Sequence, residues 1–158
     1  MPRPSATCAR FSHVGLCVDD VDRAKAFYTA AFGFVEGREL KIVNDQHDLL
    51  GVEGDYRLDS RFLRLDGLIL ELLGFDGPVA EAASRPRPMY RPGFTHLSFN
   101  VDALDAATAD VAAAGGRVLA ETHTVFDLQG TKGEIVFVTD PEGNRIELMA
   151  FPEDVVNA

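Results

Sequence analysis

The sequence predicts an α+β protein built as two tandem βαβββ modules, and three observations carry that prediction. The stretch Phe11 to Val35 overlays Phe94 to Val118 without a gap and shares Phe11/Phe94, His13/His96, Val18/Val101, Asp19/Asp102, Asp22/Asp105, Ala24/Ala107, Ala26/Ala109, Gly33/Gly116 and Val35/Val118. Such self-similarity is the mark of an internal repeat. Within each copy the apolar period changes from that of a strand to that of a helix and back. Turn-forming residues then separate two further apolar runs in each copy. The chain divides accordingly into a tail at 1–8, a first module at 9–74, a connector at 75–92, a second module at 93–152 and a tail at 153–158.

Each copy opens on a strand, Phe11 to Val18 and Phe94 to Val101. Acidic residues follow, Asp19, Asp20 and Asp22 in the first copy and Asp102 and Asp105 in the second, placed to accept from the free N–H groups of a helix start. Ala24, Phe27, Tyr28 and Ala31, and in the second copy Leu104, Ala107, Val111 and Ala114, recur at helical spacing and mark the buried face. Gly33 and the Gly115-Gly116 pair tolerate positive φ and end the helices. Another extended run comes next. The closing strands are Arg61 to Leu65 with Leu68 to Leu73, and Glu134 to Val138 with Arg145 to Ala150. Asp66-Gly67 is a hairpin signal, and Asp140 to Asn144 a slightly longer turn. Phe27, Tyr28 and Phe32 are expected in the core.

At 158 residues the chain can bury a core without a structural metal, so any metal is expected to be functional. No apolar stretch approaches the roughly 20 residues needed to span a bilayer, so no membrane partner is expected. The N-terminus has no apolar h-region, and the two cysteines, Cys8 and Cys17, lack metal-type spacing. A cytoplasmic location is the expectation. A net charge of −10 argues against nucleic acid as a partner. The exception to the acidic surface is Ser84 to Pro92, where Arg85, Arg87 and Arg91 sit among prolines and could meet an anion.

His13, Glu71, His96 and Glu147 interrupt strand-like apolar runs with metal-binding side chains. Taken singly, each has a plain reading: a histidine on an apolar strand is commonly a satisfied core or edge residue, and every second residue of a half-buried strand faces water. The repeat changes this, because each copy supplies one His at its first strand and one Glu at its last. Two imidazoles and two carboxylates suit one divalent ion of hard-to-borderline character. His47 and His123 have no counterparts and stand in polar surroundings, where they are expected to face solvent.

These stretches, with Ala26-Phe27-Tyr28 to Gly33-Phe34, Glu71-Leu72-Leu73, Thr95 to Phe99 and Thr139 to Leu148, resemble the vicinal oxygen chelate superfamily over roughly Ala9 to Pro152. The resemblance is nearest to methylmalonyl-CoA epimerase-like and glyoxalase I-like members. It implies a cupped mixed sheet around a metal site, a homodimer, and a small-molecule substrate. The implied cofactor is one divalent ion (Zn, Ni, Co, Mn or Fe) held by His13, Glu71, His96 and Glu147. The implied activity is that of an isomerase or lyase moving a proton α to a carbonyl, with Glu71 and Glu147 as catalytic carboxylates. The substrate would be a small oxygenated metabolite or an acyl-CoA. Alternatives are an antibiotic-resistance protein acting by sequestration or thiol transfer and, less favoured, an extradiol-type dioxygenase. The arginine–proline tract and the stretch Thr122 to Lys132 depart from an ordinary epimerase pattern, the latter resembling an insertion.

Overall fold

The computed structural model describes residues 10–77, 88–128 and 130–152. The tails, Cys8, and Arg85 and Arg87 of the arginine–proline tract lie outside these described residues. The first module runs β1 (Val14–Val18), α1 (Val21–Phe32), β2 (Val35–Val43), a single turn α2 (His47–Leu50), β3 (Arg57–Leu65) and β4 (Leu68–Asp76). The second runs β5 (Leu97–Asn100), α3 (Leu104–Ala113), β6 (Arg117–Leu128), β7 (Thr131–Thr139) and β8 (Arg145–Ala150). Each makes a four-stranded sheet, ordered β1-β4-β3-β2 and β5-β8-β7-β6. In each the first strand pairs parallel with the last and the remaining pairs are antiparallel, so the two βαβββ modules share one topology.

Local chemistry explains the boundaries. Asp20 caps α1 by accepting from the Arg23 amide at 2.9 Å, and Gly33 closes it at φ 74°. The second copy departs from expectation: the N-cap of α3 is Ala103, with no side-chain bond, because the repeat places alanine where Asp20 stands. Asp102 therefore caps nothing. Asp66 and Gly67 both take positive φ, as a two-residue hairpin requires, and Leu65 faces Leu68 across it. The stretch that looks inserted, up to Leu128 and again from Thr131, lies at the distal ends of the β6–β7 hairpin.

β1 and β5 are shorter than predicted, because their ladders begin at Val14↔Leu70 and Leu97↔Ile146. Among the described residues the preceding positions have no strand opposite them, and Phe11 and Phe94 are 75% and 95% exposed. Both sheets turn one face into a shared core. Phe27 and Tyr28 of α1 and Val111 of α3 pack with Leu63, Leu70 and Leu72 of the first sheet and Val136, Val138, Ile146 and Leu148 of the second. Phe32 stacks on Phe99 at 4.6 Å. Each such side chain contributes on the order of 2 kcal/mol on burial.

A polar clasp joins the modules at the β7–β8 turn. Buried Asp140 accepts from the amides of Glu142 and Asn144, from Asn144 Nδ2 and, at 3.2 Å, from the Tyr28 hydroxyl of α1. Burial pushes the Tyr28 phenol well above its ordinary range, with the Asp140 carboxylate adding to the effect, so it stays a donor. Glu142 reaches the start of α1, taking the Asp19 and Asp20 amides at 2.8 and 2.9 Å and Arg23 at 3.3 Å.

Candidate metal centre

Alternation along two strands decides where the carboxylates point. Glu71 stands between Leu70 and Leu72, and Glu147 between Ile146 and Leu148, all four of these neighbours being fully buried in the core. With a period of two, each glutamate must emerge on the sheet face away from the core, here called the outer face. His13 and His96 each sit one residue before the first strand, two residues before the ladder partner of their glutamate, Gly15 and Ser98. His13 Nε2 is 3.0 Å from Glu71 Oε2, and His96 Nε2 is 3.6 Å from Glu147 Oε2.

Hydroxyls orient both partners. The residue before each histidine supplies one to Nδ1, Ser12 at 3.0 Å and Thr95 at 2.9 Å, which leaves Nε2 aimed at the carboxylate. Ser60, itself buried, donates to Glu71 Oε1 at 2.6 Å, and Ser98 donates to Glu147 Oε2 at 2.7 Å. Glu71 thus has both oxygens engaged, whereas Glu147 has its contacts on one. Phe62 and Phe137, in register with Glu71 and Glu147, meet His13 and His96 edge-on at 5.8 and 5.3 Å. Among the described residues no lysine or arginine neutralises either glutamate. An imidazole nitrogen beside a partly buried carboxylate, each with an oriented outer partner, is a donor set that fits half of a borderline divalent site.

Within the chain the four residues form two pairs, not one cluster: among the described residues no three His, Cys, Asp or Glu side chains come together as a metal site. Of the two remaining histidines, His123 is exposed as expected and His47 is not fully so. His47 starts α2, is half-buried against the Tyr56 ring at 5.1 Å, and bonds the Val52 carbonyl through Nδ1. His123 belongs to β6 and meets Glu134 at 2.7 Å on the exposed surface. Of the supporting groups, Ser12 and Thr95 had a signal in the repeat, a hydroxyl before each histidine. Ser60, Ser98, Phe62 and Phe137 had none, because their roles come from strand register.

The family description Glyoxalase/Bleomycin resistance protein/Dioxygenase superfamily matches residues 10–148. The chain belongs to this superfamily. It is 31% identical to the uncharacterised protein YaeR of Escherichia coli (strain K12) over 136 residues, covering 86% of this chain and 92% of that one. It is 28% identical to YwkD of Bacillus subtilis (strain 168) over 137 residues, with the same coverage. Among solved structures, a glyoxalase family protein of Bacillus cereus superposes with a TM-score of 0.77 at 18% identity, covering 92% of this chain and 95% of that one. The fosfomycin resistance protein FosX of Listeria monocytogenes, solved with Mn(II) and sulfate, gives 0.61 at 17% identity, covering 96% and 100%. At these identities the superpositions establish the shared fold. None of the described helices is long and apolar enough to cross a membrane.

Proposed function

We propose that this superfamily member is a divalent-metal-dependent isomerase or lyase of the epimerase-like kind, moving a proton α to a carbonyl of a small oxygenated substrate. The observation that carries the reading is the matched pair of His–Glu couples, one per module, each on the outer face and each oriented by hydroxyls. Four donors require two faces to meet. Among the described residues β1 and β5 each hydrogen-bond a single strand and leave an edge open, flanked by exposed Phe11 and Phe94. The working unit is therefore a homodimer, in which His13 and Glu71 of one protomer join His96 and Glu147 of its partner around one ion.

A divalent ion held there would polarise the substrate carbonyl and stabilise charge on the adjacent oxygen. The chain's own groups do the rest. The imidazoles stay fixed through Ser12 and Thr95, while Glu71 and Glu147, from different modules, approach the substrate carbon from two sides and take or return its proton. Phe62 and Phe137 line the site with apolar surface that keeps water from the reacting carbon.

Metal content of protein purified without chelator tests the reading, with about one ion per chain expected in this two-module unit. The His13→Ala and His96→Ala proteins should each lose it. Mixed after unfolding, they should regain about a quarter of wild-type metal and of solvent-deuterium exchange into substrate, since half the dimers are hybrids carrying one intact site. Full metal retention in either variant sinks the metal reading, and metal lost from both without recovery on mixing sinks the shared site.

A further inference from the structure

Beside each His–Glu pair an arginine lies over the phenylalanine that flanks the histidine. Arg38 is 5.0 Å from the Phe62 centroid, and Arg145 is 5.7 Å from that of Phe137. The two arrive differently, Arg145 from β8 and Arg38 from an irregularity in β2. The β2–β3 register slips between Glu36 and Glu39. Such a bulge re-aims a side chain, and here it brings Arg38 over a ring that stands opposite Glu71. Gly37 is needed for it, since a Cβ there would stand 2.8 Å from the Phe62 carbonyl oxygen.

Arg64 lies on the same outer face, two residues beyond Phe62 along β3, with its Nε 3.5 Å from where that Cβ would be. Arg61, on the opposite face, is spoken for by Asp59, Glu39 and Asp22. Arg38 and Arg64 pair with no carboxylate among the described residues, in a chain whose net charge is −10. Acidic partners are abundant, yet among the described residues these two guanidinium groups beside the site are left without one.

We propose that Arg38 and Arg64 form an anion subsite that grips a carboxylate or phosphoryl group of the substrate, remote from the reacting carbon. The proposal deepens the preceding reading and rests on it for where the substrate sits. A guanidinium matches an oxyanion through two parallel N–H donors, and the Phe62 face holds Arg38 in place before binding. The substrate class narrows accordingly to acidic metabolites and phosphate-bearing thioesters. A neutral keto-sugar or cyclitol would leave the subsite unused.

Phenylglyoxal labelling of the as-purified protein, quantified per arginine by mass spectrometry at constant ionic strength, provides the test. Inorganic phosphate, acetate and coenzyme A are each compared with chloride, and exposed Arg57, on the other face of β3, is the internal control. Protection of Arg38 by roughly tenfold, with Arg57 unchanged, is the result expected of a bidentate charge-assisted contact. Protection by acetate alone assigns a carboxylate, and protection by phosphate or coenzyme A assigns a phosphoryl group. Equal Arg38 labelling in all four solutions overturns the subsite. Metal content measured on the same samples separates the two readings: protection without metal keeps the subsite and removes the metal, and metal without protection does the reverse.

Discussion

Replacing Glu142 by alanine removes the strongest polar link between the modules. Its side chain is only 2% exposed, yet it is the acceptor for two backbone amides of the other module, at 2.8 and 2.9 Å. Hydrogen bonds to a charged group are worth about 1.5–3 kcal/mol each, and a lost helix cap by itself costs about 1 kcal/mol. Water enters the vacated space and recovers part of this, so Glu142→Ala should cost about 2–4 kcal/mol out of a total of roughly 5–15. Arg23 is half-exposed, so Arg23→Ala should cost at most about 1 kcal/mol. Glu142→Gln, which keeps one acceptor oxygen and loses the charge, should fall between them. Urea unfolding followed by circular dichroism, at one fixed protomer concentration, reads all three midpoints. Glu142→Ala and Arg23→Ala with equal, small losses would refute the reasoning, because the energy would then lie in the ion pair and not in the bonds from the Asp19 and Asp20 amides.

Two further perturbations probe the fold that carries the site. In Gly116→Ala the new methyl would lie 2.5 Å from the Thr139 carbonyl oxygen, 2.7 Å from Phe27 and 2.8 Å from Val111, so a loss of about 1–3 kcal/mol is expected by overpacking. Its repeat partner Gly33 meets nothing within 4 Å and sits at φ 74°, so Gly33→Ala should lose about 1 kcal/mol by backbone strain alone; calorimetry compares them, and equal costs with no repacking around Gly116 would contradict the close-approach argument. The hydrogen bonds from Arg61 hold the Asp59 carboxyl below its usual range. A depressed folded value means the stabilisation is complete above the unfolded carboxylate pKa of about 3.9 and is lost as pH falls through the lower folded value. Asp59→Asn should therefore be less stable than wild type by about 1 kcal/mol at pH 7, a gap that closes under acid and that a urea series from neutral to strongly acidic pH would trace. A gap that widened in acid would reverse the sign.

Much of this architecture was legible in one sequence because the chain carries its own comparison. Two copies with the same strand, helix and closing Glu expose the βαβββ unit, and the Asp66-Gly67 hairpin and the Gly33 helix end follow from residue chemistry that acts locally. The same comparison misled where the copies differ. Asp102 looked like a cap until Ala103 took the cap position.

The sequence by itself determined the repeat, the sheet faces and the residue types that could hold a metal, since periodicity and side-chain chemistry are properties of neighbouring positions. Tertiary structure alone decided that His13 meets Glu71 and His96 meets Glu147, that Ser60 and Ser98 hold the two carboxylates differently, and that the pairs stay apart within one chain. Ladder register and the packing of α1 and α3 into one core set those distances. They depend on contacts between residues far apart in the chain, and no local pattern records them.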